Sequence, residues 1–322
     1  MPNVRTTSFS TAIAAIPPRR ARARSLVGFI TRSPGVTRRH LQVALGLFWL
    51  LDGALQAQPF MFTREFATQL IAPVGQGQPG FVSGPVHWAS TVVAAHPVAW
   101  NVPFAAIQLL IGVGLLVPRT ARLALAVSIA WALGVWYFGE GLSGLASGHA
   151  SLITGAPGSA LIYALLAGAA WPRQDSAREA PAPWLRFPWA VVWVGAAVFQ
   201  ALPGQNSGAG VASDLTAGTS GAPAWLASLD NSVGAWAAHH GSLLVLVLVS
   251  AEVLIGIGAL ARRTRTAAVV AGLALTVALW VMGQDLGALY SGQATDPNSG
   301  PVLALMAIGL LAGSREIPAN SS

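Results

Sequence analysis

The chain has 322 residues, of which 54% are hydrophobic and only 9% charged, and its mean hydropathy is +0.59. Soluble globular domains carry about a quarter charged residues, so this composition excludes an ordinary soluble fold and points to a lipid environment. The net charge is +7, all eighteen basic residues are Arg, and the lack of Cys excludes disulfides, thiolate metal centres and cysteine redox chemistry in the chain itself.

In chain order, residues 1–39 are rich in Arg, Ser, Thr and Pro without a continuous apolar core, which reads as a basic cytoplasmic tail and not a cleavable signal peptide. An apolar run at 41–58 is followed by a long loop at 59–97 and by runs at 98–117, 120–138 and 157–171. After a linker at 173–186 the order returns: a run at 188–202, a long loop at 203–241, runs at 242–260, 266–282 and 300–313, then a tail at 315–322. These runs approach the ~20 residues that cross a hydrocarbon core of about 30 Å. Backbone polar groups in lipid must be satisfied internally, and the runs lack the alternation of barrel strands, so helices are expected. The expected fold is all-α: a polytopic membrane protein with eight transmembrane helices, four in a repeat at 40–172 and four in a repeat at 187–314.

The case for duplication is a register of 144 residues. Trp49 returns as Trp193, Gln56 as Gln200, Gly77 as Gly221, Pro79 as Pro223 and His96 as His240. Gly112, Gly114, Thr120, Trp136 and Gly139 return as Gly256, Gly258, Thr264, Trp280 and Gly283. A fixed period of this kind implies two equivalent structural units. Four spans per unit is an even number, so the units share one orientation around an axis near the membrane normal. The matching turns Gly77-Gln78-Pro79 and Gly221-Ala222-Pro223, followed by Phe81 or Trp225, suggest an ordered element skimming the membrane in each long loop. Gly112, Gly114, Gly256 and Gly258 read as close-packing positions between helices.

The Arg residues cluster on one side of the expected spans, in the tail, between the second and third runs, in the linker, between the sixth and seventh, and after the eighth; only Arg64 falls in the opposite loops. By the positive-inside rule both termini are cytoplasmic, which places the chain in the plasma membrane with the long loops outside. The lipid bilayer is then the first partner, and nucleic acid is disfavoured because the Arg residues are not arranged on a folded module.

Candidate chemistry begins with ionisable groups inside spans, which cost roughly 2.5 kcal/mol or more to insert. Asp52 and Glu252 each lie about 16 Å along their runs, near mid-membrane. Their counterparts are Ala196 and Gln108, so neither carboxylate is duplicated. Both fit either a substrate or proton site or a buried polar contact between helices. Gln56 shares a helix face with Asp52, and Gln200 is its counterpart. A second constellation is formed by "WYFGEGLSGLASGHAS" and "WVMGQDLGALYSGQATD", where Glu140 aligns with Gln284 and Asp285 with Gly141. His96, His240 and His149 lie on the outer side and, with carboxylates, are candidate metal ligands, although no fixed ligand spacing occurs. No Walker loop, nucleophile elbow, zincin motif or dinucleotide fingerprint is present.

The segments "LGLFWLLDGALQ" and "IQLLIGVGLLVPRTARLALAV", one polar-ended helix, a long outer stretch and a Gly-rich helix turning at an Arg, resemble the four-helix DoxX/MauE superfamily of small membrane proteins, here present twice. The resemblance implies an accessory or subunit-like role in an extracytoplasmic redox or maturation process, with a membrane or extracytoplasmic protein partner and with a quinone or a metal ion as the cofactor classes. Because the chain has no Cys, any thiol exchange linked to maturation would belong to a partner. The alternative from the residues themselves is a transporter of a small solute, protons or metal ions using the intramembrane carboxylates.

Overall fold

In the computed structural model, which describes residues 36–172 and 181–313, every regular element among the described residues is helical. Most of the expected tail at 1–39, most of the linker at 173–186 and the tail at 315–322 lie outside the described residues, as do Arg173, Arg178 and Arg315.

Helix α1 (Arg38–Gln56) opens with a capping box: the Thr37 side chain accepts from the His40 backbone N–H, and the His40 ring accepts from the Thr37 backbone N–H. The long loop that follows is itself helical. It holds a 3-10 turn (Pro59–Phe62), a π segment (Phe66–Ile71), a second 3-10 turn (Ala72–Gly75) and helix α2 (Gly80–Ala95). Helices α3 (Pro97–Leu116), α4 (Ala121–Phe138) and α5 (Ser159–Ala169) complete the first half. The second half holds α6 (Arg186–Gln200), α7 (Gly208–Thr216), α8 (Ala224–Gly258), α9 (Arg265–Val281) and α10 (Ser299–Gly313). The two expected Gly-x-Pro turns start α2 and α8. Gly77 and Gly221 hold left-handed φ values of 69° and 84°, which a side chain would disfavour, and Pro79 and Pro223 stand at the helix N-caps.

By length and composition α3 and α4 are able to cross a membrane, and α8 joins them if its halves, Ala224–Gly241 and Leu243–Gly258, count as one span despite a 102° bend between them. Other helices are shorter or more polar than the apolar runs suggest. Helix α1 reaches 19 residues but carries Arg38, Arg39, Asp52 and Gln56. The run at 157–171 yields the 11 residues of α5, and the run at 300–313 is filled by the 15 of α10, both short for a full crossing. Both are also buried. On α10, Val302, Leu303, Met306 and Ala307 are at most 1% exposed, and on α5, Ile162, Tyr163, Leu166 and Ala167 are too. A helix apolar on all faces belongs in an interior, so its hydropathy reports protein packing and not a full lipid crossing. In contrast, Leu110 on α3 and Leu123 on α4 are each 70% exposed, the apolar outward face that a lipid contact requires.

Packing follows the same scheme in each half. Helix α1 lies along α3 and α4 packs on α5; α6 lies along α8 and α9 packs on α10; α5 and α10 meet and join the halves. Small residues permit these approaches. A Cβ on Gly112 would stand 2.9 Å from the Gly46 carbonyl oxygen, and one on Gly256 would stand 3.1 Å from that of Ala190, which is 144 positions after Gly46. The helix ends are capped alike: Thr120 donates to the Gly114 carbonyl at 2.7 Å and Thr264 to that of Gly258 at 2.7 Å.

Several polar side chains at one end of the bundle close helix C-termini. Arg39 donates to the carbonyls of Leu115 (2.8 Å) and Leu116, and Arg265 to those of Ala259 (2.9 Å) and Leu260 (3.2 Å). Arg38 and Gln42 reach Trp171 O (3.2 Å) and Ala170 O (2.9 Å) past the end of α5. Cations there satisfy orphan carbonyls and oppose the negative end of the helix dipole, so these arginines have a folding role besides any topogenic one.

Candidate functional site

Helices α1 to α5, with the segments between them and part of the loop before α10, line a partly open cavity of about 830 Å³. Its walls are largely aromatic. Trp100, Phe104 and Trp131 form a continuous row, with ring centroids 6.1 and 5.5 Å apart, while Trp88 meets Phe138 at 6.2 Å and Trp49 meets Tyr163 at 4.7 Å. The π segment adds Phe66, Leu70 and Ile71. Near the junction with the second half, the stretch from Gln293 to Asp296 and Asn298 closes part of the rim.

The polar groups on this wall are of two kinds. Some are fully occupied. The Trp49 indole N–H donates to Ser128 Oγ at 2.8 Å, and Gln56 and Asn101 bond reciprocally, the Asn101 amide reaching the Gln56 carbonyl at 2.8 Å. That pair ties the end of α1 to the start of α3. Others have no hydrogen-bond partner although buried: the acceptors Asp52 Oδ1, Gln78 Oε1 and Gln108 Oε1, and the donors Trp131 Nε1–H and Tyr163 O–H. All five line the same cavity. The Tyr163 hydroxyl neighbours the Asp52 carboxylate, but neither atom makes a hydrogen bond of ordinary geometry. A buried polar atom without a partner costs roughly 1–3 kcal/mol, so these five residues carry unmet hydrogen-bonding capacity beside the cavity.

Glu140 lies at the cavity edge, just past α4. Its Oε1 accepts from Ser159 Oγ (2.9 Å) and from the Ala160 backbone N–H (3.1 Å), and its Oε2 from Ser143 Oγ (3.2 Å), so it caps the N-terminus of α5. Gly158, with φ 100°, passes so close that a Cβ there would collide with the Glu140 carboxylate. Burial and the nearby Asp296 push the Glu140 carboxyl up to about 7 from its ordinary 4.5, against the opposing pull of its hydrogen bonds. Gln284 performs the same act in the second half, its Oε1 accepting from the Gly300 N–H at 3.0 Å and Ser299 Oγ at 3.4 Å while its amide donates to Leu152 O at 3.2 Å.

Of the candidates read from the sequence, Asp52, Gln56, Gln108, Glu140 and His149 line this one cavity. The others lie elsewhere. Gln200 donates to Gln205 O, turning the chain after α6. Glu252 is 3% exposed on the second half of α8 with Oε2 unpartnered, outside the cavity lining. Asp285 is 3% exposed beside Asp230, and burial together with the Asp285 carboxyl pushes Asp230 up to about 7. His96 is an exposed N-cap of α3, and His240 is exposed, its Nδ1 2.8 Å from Trp236 O. Among the described residues no group of three or more His, Asp or Glu side chains is placed to hold a metal ion.

Sequence reasoning missed Tyr163, Trp131, Asn101 and Asp296. Tyr163 and Asn101 had a usable signal, each being a polar group within an apolar run. Asp296 had none: it sits where the register slips, since Glu140 precedes its capped Ser159 by 19 positions and Gln284 precedes Ser299 by 15.

Among the described residues the protein is helical, with apolar helices suited to a membrane and a partly open, largely aromatic cavity. Comparison with protein-family models, curated proteins and solved structures gives no match to the chain.

Proposed function

We propose that this protein is a multi-pass plasma-membrane protein, built of two four-helix repeats of the DoxX/MauE kind set the same way up with both termini cytoplasmic, which holds a small amphipathic molecule in the cavity of its first repeat. Eight membrane segments then include short ones, α5 and α10, whose remaining depth is filled by protein. Exposed Phe81, Trp88, Trp225 and Trp236 on α2 and on the first half of α8 suit helices skimming the outer interface. The role we assign is accessory: supplying or sheltering a small molecule for an extracytoplasmic redox or maturation process carried out with a membrane or extracytoplasmic partner.

The observation that carries this reading is the set of five unpartnered polar atoms on one aromatic cavity wall. The guest they call for brings both hydrogen-bond donors and acceptors. A quinone offers only acceptors and would leave Asp52, Gln78 and Gln108 unmet; its quinol offers donors as well. Gentle extraction of the full chain, followed by native mass spectrometry and solvent extraction, is expected to release a stoichiometric small molecule, and Trp131→Phe is expected to reduce its occupancy. An invariably bare polypeptide from its own membrane, binding no small amphiphile added back, would sink the proposal.

The buried and unpartnered Glu252 carboxyl favours a second reading, transport of a proton or small solute. In proteoliposomes Asp52→Asn and Glu252→Gln are then expected to reduce flux at least tenfold; unchanged flux removes both residues from any such path.

A further inference from the structure

We propose that the guest of the first-repeat cavity is an amphipathic organic cation, an ammonium head on an aromatic or aliphatic body, held by the carboxylates of Asp52, Glu140 and Asp296 and by the faces of the surrounding tryptophans. This rests on the cavity being a ligand site and adds the sign of the ligand's charge.

The first argument is charge. Three carboxyl groups, from α1, the turn after α4 and the loop before α10, border one cavity, and no Arg lines it. His149 is the one basic side chain there, and it is exposed. Two of them act on one another, since Asp296 opposes ionisation of Glu140. Among the described residues Arg39 and Arg265 sit at helix ends, and no Arg borders this cluster of acids. A cation entering the cavity removes the repulsion. An anion would add to it, and a neutral guest would leave it as it is.

The second argument is hydrogen bonding. Asp52 and Gln108 are at least nine-tenths buried, both line the cavity, and each keeps an unpartnered acceptor oxygen. An ammonium group is a compact cluster of donors, so it answers both oxygens at once, while the Trp131 N–H and Tyr163 O–H call for an acceptor on the body of the guest. The third is the wall itself. Trp88, Trp100 and Trp131 line it, and a cation within about 6 Å of an aromatic face gains roughly 0.5–2 kcal/mol. The volume, about 830 Å³, accommodates an apolar body beyond the head.

The test uses the purified full chain in detergent and three probes of one skeleton: 4-phenylbutylamine, 4-phenylbutanol and 4-phenylbutyrate, with binding read by isothermal titration. The amine is expected to bind at least tenfold more tightly than the alcohol, and the carboxylate most weakly. Asp52→Asn and Glu140→Gln are each expected to narrow the amine-to-alcohol ratio to within about threefold, whereas Glu252→Gln, outside the cavity, leaves it unchanged. Both cavity variants remove a buried charge, and Gln already stands at the equivalent position 284, so folding is expected to survive, as a thermal scan checks. Amine affinity should rise between pH 6 and pH 8, as Glu140, facing Asp296, Asp52 and Tyr163, loses its proton. Equal binding of amine and alcohol overturns the cation assignment and leaves the cavity as a ligand site. Failure of all three probes overturns both.

Discussion

Gly112→Leu is expected to cost about 3 kcal/mol or more of stability, or to prevent folding altogether, because the two longest helices of the first half touch through this position. Even the first carbon of a side chain at 112 would meet Leu50 Cγ at 2.7 Å, Cδ2 at 2.8 Å and the Gly46 carbonyl oxygen at 2.9 Å. The leucine has rotamers to try, but the carbonyl belongs to helix backbone and moves only if α1 moves. In lipid, close van der Waals packing is the main attraction between helices, so forcing α1 and α3 apart removes much of what holds them. Gly112→Ala is expected to cost about 1–3 kcal/mol by the same clash. Gly195→Ala on α6 is the control: a Cβ there meets nothing within 4 Å, so helix propensity alone should act and raise stability by up to about 1 kcal/mol. Unfolding in mixed micelles followed by tryptophan emission reads all three. A Gly112→Leu protein as stable as the parent would show that α1 and α3 do not pack as described.

Glu140→Ala is expected to lose about 2–3 kcal/mol, since it strips the Ala160 N–H and two serine hydroxyls of their acceptor and uncaps α5. Glu140→Gln should behave quite differently, because Gln284 shows that an amide oxygen caps the equivalent helix. The distinction is one of pH. The folded carboxyl titrates near 7, above its ordinary 4.5, so the folded state holds a proton that the unfolded state releases. Between about pH 4.5 and pH 7 the folded protein therefore binds more protons, and its stability falls as pH rises through that window. The Gln variant carries no such proton. Its melting temperature is expected to match the parent's near pH 4.5 and exceed it at pH 8, with the gap opening between about pH 4.5 and pH 7. A constant gap across this range would mean that the Glu140 carboxyl is not held protonated by its surroundings.

The helical class and the places of the apolar elements were legible in hydropathy alone: each expected run holds a helix within a few residues of its expected position. Surroundings were not, since hydropathy cannot distinguish burial in protein from burial in lipid. Thus α5 and α10, short apolar runs in the sequence, prove to be packed among neighbours. The site was partly legible for a related reason. An expensive intramembrane acid such as Asp52 stands out in an apolar run, and so do Gln56 and Gln108 beside it. What the chain alone could not decide was which polar positions border one cavity. The second-half candidates Gln200, Glu252, Gln284 and Asp285 do not line it. Trp131 gave no signal because an aromatic in a membrane helix is common, and only the structure shows its N–H without a partner beside a cavity.

The enclosed position of α5 and α10 has a further consequence. Neither half owns a complete interior: each contributes its most apolar helix to a shared centre and leaves its more exposed helices outside. Heat or denaturant should therefore melt the molecule in a single cooperative step, and neither half, severed from the other, should persist as a native monomer.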